Sequence, residues 1–487
     1  MKSLKELHPP LLWDYFNEIL QIPRASGKET RIGEYVISVA KKHGLKYKKD
    51  KAGNILVVKN ASSGFGNIQS VCLQSHLDMV CEKNSQSRHN FDTDPIQAYI
   101  DDGWVKAKET TLGADNGIGV AAQLAILTDP KLDHGPLECL FTVDEETGLN
   151  GARGLESQFF DSHILINLDS EDEGELFIGC AGGINTIGSL KYKSKNAPVD
   201  SKAYKIEIGG LLGGHSGSDI HKDRGNSIKI LNEILWEARN RFDMRLSVFE
   251  GGNLRNAIPR EAYAIIVLPE KYVEVFEEYF RETAKKLTAT LCIEEPDFSI
   301  TLDEVERPER IMKKKPQEKL LNAIYVCPND VISWSKIMPD LVETSTNLAS
   351  VKFQAPNIVL MTTSQRSSDN TAIQAIANKV RSTFKLAGAK VEHSEGYPGW
   401  NPNPSSVILS ITENTYKEVF GTEPKVKAIH AGLECGLFLE KYPYLDMISF
   451  GPTILDVHSP NEKLDIETTV KFWKLLLGVL KNIPEKQ

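Results

Sequence analysis

The stretch VCLQSHLDMV, residues 71–80, decides the fold class of this chain. It begins with a short apolar run, residues 71–74, and continues into a polar segment that carries a histidine and an aspartate. Two further apolar runs follow at residues 138–141 and 164–168, and a helix-like stretch, residues 117–127, precedes them. Short apolar runs that alternate with helical stretches are typical of an α/β sheet covered by helices on both faces. We therefore expect a central mixed sheet flanked by helices.

This alternation is interrupted in the middle of the chain and returns after Pro402. We therefore predict a split α/β domain, formed by residues 1–186 and 395–487. The intervening residues 187–394 are predicted to form an inserted α+β domain. An insertion of this kind is preferred to two consecutive domains because both chain ends show the same α/β pattern.

The inserted region repeats one pattern of elements. Residues 201–300 and 310–394 each contain a pair of strands followed by a long helix and a further strand. This similarity predicts an internal duplication.

Composition excludes several classes of protein. The 487 residues include 66 acidic and 57 basic side chains, a net charge of −9, so the basic face of a duplex nucleic-acid binder is not expected. The seven cysteines form no C-x-x-C pair, which favours a reducing compartment over a disulfide framework. The amino terminus MKSLKELHPP lacks the apolar core of a signal peptide, and the apolar runs are too short to span a bilayer. We therefore expect a cytoplasmic protein without membrane or nucleic-acid partners.

Five short segments, each following a predicted strand of the split domain, carry histidines and carboxylates. They read QSHLDMV, TLGADNGIG, TVDEETGLNGA, INLDSED and LDVHSPNEKL, and their candidate residues are His76, Asp78, Asp115, Glu145, Glu146, Asp169 and His458. This ligand set suits Zn²⁺, and also Mn²⁺ or Co²⁺. One histidine and two carboxylates per ion, with one carboxylate shared, would hold two ions ~3.5–4 Å apart around a water. Taken alone, the His-x-Asp pair is common by chance, and the alternative for residues 144–146 is a solvated turn or the start of a helix.

Spacing within two segments suggests separate roles. His76 and Asp78 lie on the same side of an extended segment, so Asp78 can accept from the second imidazole nitrogen and orient the ring. Glu145 and Glu146 point in different directions, so one can bind metal while the other serves as a general base. The glycine-rich GGLLGGHSG lacks the Lys-Ser/Thr of a phosphate-binding loop, which argues against a nucleotide-dependent enzyme.

Together these segments resemble the signature of the dinuclear zinc metallopeptidases that include aminoacylase, glutamate carboxypeptidase and the bacterial dipeptidases. More closely, SHLDMVCEKN, LGADNGIG, DEETGLNGA, NLDSEDEGELFIGCAGG, HAGLECG and DVHSPNEKL resemble the aminoacyl-histidine dipeptidase branch, also called the cytosol non-specific dipeptidases. The similarity runs along essentially the whole chain.

The resemblance implies a role for each candidate. One zinc ion would be bound by His76, Asp115 and Asp169, and the other by Asp115, Glu146 and His458, with Asp115 as the bridge. Glu145 would be the general base, and Asp78 would orient His76.

For the inserted domain, the resemblance implies a lid and association domain that forms a homodimer. His215, in GGHSG, would stabilise the tetrahedral intermediate, and whether it acts in its own subunit or in a neighbour is left open. Asn256, in GGNLRNAIP, would contribute to substrate binding. Arg366 would bind the substrate's carboxylate, for which a guanidinium fork is suited; its alternative is a surface arginine. Glu434 of the split domain would meet the free amine, or else serve as an acid at a helix start.

The resemblance thus implies a cytoplasmic dinuclear zinc dipeptidase for unblocked dipeptides, with Xaa-His dipeptides as the candidate preferred substrates. Two alternatives remain open. An N-acyl amino acid amidohydrolase would use the same metal ligands, and a non-catalytic metal-binding scaffold would have no need of Glu145 as a base.

Overall fold

The computed structural model describes residues 3–486. The α-helices are α1 (Pro10–Ile19), α2 (Thr30–Lys42), α3 (Ala114–Thr128), α4 (Asn150–Gly154), α5 (Ser227–Phe242), α6 (Val273–Leu291), α7 (Lys314–Val326), α8 (Asn370–Leu386), α9 (Val407–Phe420), α10 (Cys435–Lys441) and α11 (Ile466–Lys481). Within these residues, none of the helices is long and apolar enough to cross a membrane.

The strands fall into two groups along the chain. The first group is β1 (Lys46–Lys49), β2 (Ile55–Lys59), β3 (Val71–His76), β4 (Ala98–Asp101), β5 (Trp104–Ala107), β6 (Leu137–Thr142), β7 (Ile164–Asn167), β8 (Glu175–Cys180), β9 (Gly182–Lys191), β10 (Ser194–Asn196), β11 (Ser201–Gly209), β12 (Gly214–His215) and β13 (Arg245–Gly251). The second group is β14 (Ala257–Ile258), β15 (Ala262–Pro269), β16 (Ser299–Val305), β17 (Arg310–Met312), β18 (Asp330–Trp334), β19 (Val342–Gln354), β20 (Ile358–Ser367), β21 (Lys390–His393), β22 (Lys425–Ile429), β23 (Asp446–Ser449), β24 (Ile454–Leu455) and β25 (Lys463–Asp465).

The chain divides into two compact units, and both are discontinuous in sequence. The first unit comprises Met1–Gly179, Pro402–Ala428 and Leu433–Gln487, and the second comprises Cys180–Asn401 and Ile429–Gly432. The predicted limits at 186/187 and 394/395 were wrong by several residues. β9 pairs along its length with β20 of the second unit's sheet, so the chain enters that unit before residue 187. The return of Ile429–Gly432 to the second unit was not predicted.

The first unit is built on a mixed sheet with the strand order β1-β2-β6-β3-β7-β23-β8-β22. β6, β3 and β7 are neighbours and run parallel, whereas β1, β2 and β8 pair antiparallel with their partners. Every residue of β3, β6 and β7 is buried, as expected of central strands covered on both faces. The predicted fold class is confirmed.

The parallel strands explain where a site can form. β6, β3 and β7 end at the same edge of the sheet, and the side chains that follow them are therefore brought together. Glu145 follows β6, His76 closes β3, and Asp169 follows β7.

The second unit is built on an antiparallel sheet of order β16-β11-β15-β13-β19-β20-β9-β21, with β18 paired to β19. One half follows the chain path β11-α5-β13-β15-α6-β16, and the other follows β9-α7-β19-β20-α8-β21. Both halves place their strands in the same spatial order, fourth, first, third, second. The second half takes its first strand from β9, which precedes the range 310–394. The internal duplication stays a prediction, and this matching order supports it.

Candidate metal centre

His76 closes the buried strand β3 and is the central ligand candidate. Its imidazole is 1% exposed, and its Nε2 lies 3.1 Å from Asp115 Oδ1 and 3.3 Å from Asp169 Oδ1. Asp169 lies two residues after the end of β7, the strand beside β3. The adjacent parallel strands therefore bring His76 and Asp169 together, as the positions of their segments predicted.

Asp115 lies between two histidines. Its Oδ1 faces His76, while its Oδ2 lies 3.2 Å from His458 Nε2. Asp115 stands in the first turn of α3, where its own backbone is not helical. One carboxylate that offers one oxygen to each imidazole is the arrangement expected of a bridging ligand.

Glu146 completes the second ligand group. Its Oε2 lies 3.2 Å from His458 Nε2, and its Oε1 is buried without a hydrogen-bond partner. Potential ligand atoms of Asp115, Glu146 and His458 lie within 4.8 Å of one another, as do those of His76, Asp115 and Asp169. The structure therefore brings together all five residues predicted to bind metal, in the two predicted groups.

Asp78 contacts more than the histidine it was predicted to orient. Its Oδ1 lies 3.4 Å from His76 Nδ1. The same carboxylate accepts the backbone N–H groups of Glu145 and Glu146 at 3.1 and 3.2 Å. Asp78 thus connects the segment after β3 to the segment after β6, a role that the His-x-Asp spacing did not reveal.

The charged groups of the cluster shift one another's pKa values. Burial disfavours the charged imidazole, but Asp169 and Asp115 outweigh it and hold the pKa of His76 well above its usual value. Hydrogen bonds to Asp115 and Glu146 raise the pKa of His458 to about 11. Burial raises the pKa of Asp169 to about 6. Both imidazoles thus lie against carboxylates whose negative charge favours a cation.

These residues fit a divalent metal. Imidazole and carboxylate ligands suit Zn²⁺, Co²⁺ or Mn²⁺, and binding would displace the protons that the two histidines hold. The unpartnered Glu146 Oε1 is a buried acceptor that a cation would satisfy. The donor set and this unpaired oxygen together support a metal centre.

Glu145 stands beside the ligands. One of its carboxylate oxygens lies within 4.8 Å of ligand atoms of His76 and Glu146. Desolvation raises the pKa of Glu145 well above its usual value. A carboxylate with a raised pKa beside a metal is suited to accept a proton near neutral pH.

Glu434 is fully buried in the first unit. It accepts hydrogen bonds from Gln74 Nε2 at 2.6 Å and from Thr142 Oγ1 at 2.7 Å, while its Oε1 has no hydrogen-bond partner. Burial raises the pKa of Glu434 to about 8. Its proposed contact with a substrate amine stays a prediction, and the free Oε1 is compatible with it.

In the second unit, the structure brings His215, Asn256 and Arg366 close together. β12, which contains His215, pairs with β14 next to Asn256, and Ser216 donates its N–H to the Asn256 carbonyl at 2.8 Å. The Nδ1 of His215 accepts N–H groups from Gly217 and Ser218 at 3.3 and 3.2 Å. This fixes the tautomer in which Nε2 carries the hydrogen.

Arg366 is buried, contrary to the alternative of a surface arginine. Its side-chain contacts are with Tyr397 OH at 3.3 Å and His215 Nε2 at 3.5 Å, and its Nε has no hydrogen-bond partner. Burial, followed by the charge of Arg366, lowers the pKa of His215 to about 4. Arg366 Nη2 and the Nε2–H of His215 are therefore two donors that face each other.

Comparisons with known proteins agree with these observations. Residues 72–482 match Peptidase family M20/M25/M40. The chain is 42% identical to the cytosol non-specific dipeptidase of Escherichia coli (strain K12) over 486 residues, which covers 100% of both chains. The crystal structure of aminoacylhistidine dipeptidase from Vibrio alginolyticus matches with a TM-score of 0.92 and 40% identity, covering 100% of this chain and 99% of that chain.

A more distant structure shows how widely the fold is shared. A tripeptidase from Staphylococcus aureus matches with a TM-score of 0.56 and 17% identity, covering 98% of this chain and 99% of that chain. At this identity the likeness concerns the fold alone. The full-length matches confirm the resemblance predicted from the motifs, and the chain belongs to Peptidase family M20/M25/M40.

Proposed function

We propose that the protein is a dinuclear metal-dependent dipeptidase acting on unblocked dipeptides, Xaa-His dipeptides among them. The observation that carries the proposal is the bridging position of Asp115 between His76 and His458. The full-length similarity to the Escherichia coli and Vibrio alginolyticus dipeptidases supports the substrate class.

The chain's own residues supply distinct parts of this chemistry. His76, Asp115 and Asp169 would hold one ion, and Asp115, Glu146 and His458 the other. Two divalent ions bound there would polarise the scissile carbonyl and acidify a water molecule, and Zn²⁺ is the ion we expect. Asp78 holds the ligand segments in register through His76 and the backbone of Glu145 and Glu146.

Glu145 is proposed as the general base. Its carboxylate stands beside ligand candidates of both groups, and its raised pKa matches a group that must accept and then return a proton. It takes the proton from the attacking water and delivers it to the leaving amine.

His215 and Arg366 are proposed as substrate-binding groups. His215 is neutral at pH 7, because its pKa is about 4, yet its Nε2–H remains a donor for the oxyanion of the tetrahedral intermediate. Arg366 is a buried guanidinium whose contacts, His215 and Tyr397, are not carboxylates, so an anionic ligand would satisfy it. The substrate's terminal carboxylate is such a ligand. Asn256 is proposed to contribute through the backbone that supports His215.

A substrate panel tests the proposal on metal-reconstituted protein. We expect hydrolysis of free dipeptides and at least tenfold slower hydrolysis of tripeptides and N-acetyl amino acids. Preferred cleavage of N-acetyl amino acids would support an N-acyl amino acid amidohydrolase instead. Comparable cleavage of tripeptides would contradict the dipeptidase assignment.

We also propose that the protein is cytoplasmic and forms a homodimer. A cytoplasmic location accords with the name of the Escherichia coli relative. A homodimer formed through the second unit is proposed on the family resemblance. Sedimentation of the purified protein tests the assembly, and a monomer at micromolar concentration would contradict it.

A further inference from the structure

The predicted metal ligands stand on separate segments of the first unit, and two buried charged side chains outside the ligand set connect these segments. One is Arg24, in the segment between α1 and α2, and the other is Glu462, four residues after His458. Each is 2% exposed. Neither residue was predicted from the sequence to have a functional role.

Arg24 joins the segment of His76 to the segment of Asp115. Its Nη1 donates to the carbonyls of Leu77 and Asp78 at 3.0 and 2.6 Å, and its Nη2 donates to the carbonyl of Gly113. These carbonyls lie one or two residues from His76 and Asp115. A single rigid guanidinium therefore spans both segments.

The close approach of Arg24 depends on glycine. Gly113 has a φ of +71°, and a Cβ built there would lie 2.6 Å from Arg24 Nη2. A Cβ at Gly117 would lie 2.7 Å from the same nitrogen. The two glycines of GADNG thus leave the space that the guanidinium fills.

Glu462 joins the segment of His458 to the segment of Asp115. Its two carboxylate oxygens accept four successive backbone N–H groups, those of Leu112 at 2.7 Å, Gly113 at 2.9 Å, Ala114 at 2.7 Å and Asp115 at 3.4 Å. These N–H groups precede the regular part of α3, because Asp115 and Asn116 are not helical, and buried N–H groups require acceptors that Glu462 supplies. Glu462 thereby holds the beginning of α3 against the segment that carries the second histidine.

We propose that Arg24 and Glu462 are positioning residues of the metal centre, each for a different ion. Arg24 sets the separation of His76 and Asp115, and Glu462 sets the separation of His458 and Asp115. Loss of Arg24 should therefore lower the affinity for the ion bound by His76 and Asp169. Loss of Glu462 should lower the affinity for the ion bound by His458 and Glu146. This assignment rests on the dinuclear site of the proposed function.

The test is a Co²⁺ titration of the metal-free protein, followed by visible absorption and by calorimetry. Wild type should bind two ions, and D169N and H458A identify the absorption signal of each ion. R24M should weaken the binding of the ion whose signal D169N alters, and E462A should weaken the binding of the ion whose signal H458A alters. Each affinity should fall by about 10–100-fold. R24K keeps a donor and E462Q keeps an acceptor, so each should recover part of the affinity that R24M or E462A loses. Such recovery shows that the lost affinity does not come from misfolding.

Matched controls come from the same unit. Glu138 is a buried carboxylate that accepts the N–H groups of Asp161 and Ser162, and Lys441 donates to the carbonyls of Ala152, Arg153 and Leu155. E138Q and K441M should bind both ions with wild-type affinity, even where the melting temperature falls.

Three outcomes would overturn the assignment. R24M and E462A could retain wild-type affinity at both ions, or could lose both ions equally, or E138Q and K441M could weaken binding to the same extent. Failure of wild type to bind a second ion would instead contradict the dinuclear proposal itself, so the two failures are distinguishable.

Discussion

Each unit contains a group of charged side chains whose charge its own neighbours do not balance, and the sign of that charge is opposite in the two units. In the first unit, Asp115, Asp169 and Glu146 surround two imidazoles, and both imidazoles have raised pKa values. In the second unit, Arg366 is buried against Tyr397 and His215, and the pKa of His215 is lowered. One cluster has more acids than cations, and the other is a cation whose contacts are uncharged.

This difference indicates the kind of ligand that each unit can bind. Buried charges are stable only when they are paired or hydrogen-bonded, so the acidic cluster is suited to cations and Arg366 to an anion. A peptidase that uses metal ions on a substrate with a free carboxylate requires both kinds of site. Substitutions of Glu145, His215 and Arg366 therefore test the contrast between the two units.

The largest effect is expected for E145Q. Removal of the general base should lower kcat by about 10²–10⁴-fold. Metal content should stay at the wild-type value, because Glu145 is not among the proposed ligands. Steady-state kinetics with metal analysis measures both quantities, and E156Q, at an exposed position of the same unit, is the control. Retention of full activity would remove Glu145 from the role of base.

H215A should lower kcat by about 10²–10³-fold, because one donor to the oxyanion is lost. KM should change little, since this hydrogen bond is made in the transition state. The exposed neighbour His221 provides the control H221A. An increase in KM at unchanged kcat would instead assign His215 to ground-state binding.

R366A should raise KM for dipeptides by about 10–100-fold, as expected for loss of a charge-assisted hydrogen bond. Dipeptide amides, which lack the carboxylate, should already be poor substrates of wild type and should lose little more in R366A. R310A removes an exposed arginine of the same unit that bonds Ser194 and Asn196, and should leave KM unchanged. An equal effect of R366A on dipeptides and their amides would contradict the carboxylate role.

The smallest effect concerns stability at acid pH. Burial lowers the pKa of His215 to about 4 and that of His430 to about 3, so the unfolded chain binds protons below about pH 6.5 that the folded chain does not. These two histidines should therefore lower the free energy of unfolding as the pH falls from 6.5 to 4, whereas the raised pKa values of Asp169 and Glu434 act in the opposite direction, so the effect of His430 is measured as a difference between variants. Melting temperatures should fall less steeply in H430Q than in wild type or in H43Q, which changes an exposed histidine. Identical slopes would contradict this reading of His430.

The central sheet and the ligands were predictable because both produce local patterns. Buried strands give short apolar runs, and His76, Glu146 and Asp169 lie at the ends of β3, β6 and β7 or within a few residues of them. The apolar runs at residues 71–74, 138–141 and 164–168 correspond to β3, β6 and β7.

The supporting residues could not be predicted in the same way. Arg24 and Glu462 act on backbone groups far away in sequence, and a contact with a backbone carbonyl or N–H leaves no pattern in side-chain types. Glu462 belongs to the quoted segment LDVHSPNEKL, which was the one available signal. The early start of the second unit was missed because β9 begins with two glycines, which obscure a strand.

The most direct test of the account is the anomalous diffraction of zinc-loaded crystals at the zinc absorption edge. We predict two peaks, one among His76, Asp115 and Asp169 and one among Asp115, Glu146 and His458, with the carboxylate of Asp115 between them. A single peak, or peaks that do not involve Asp115, would contradict the dinuclear centre on which the proposed function rests.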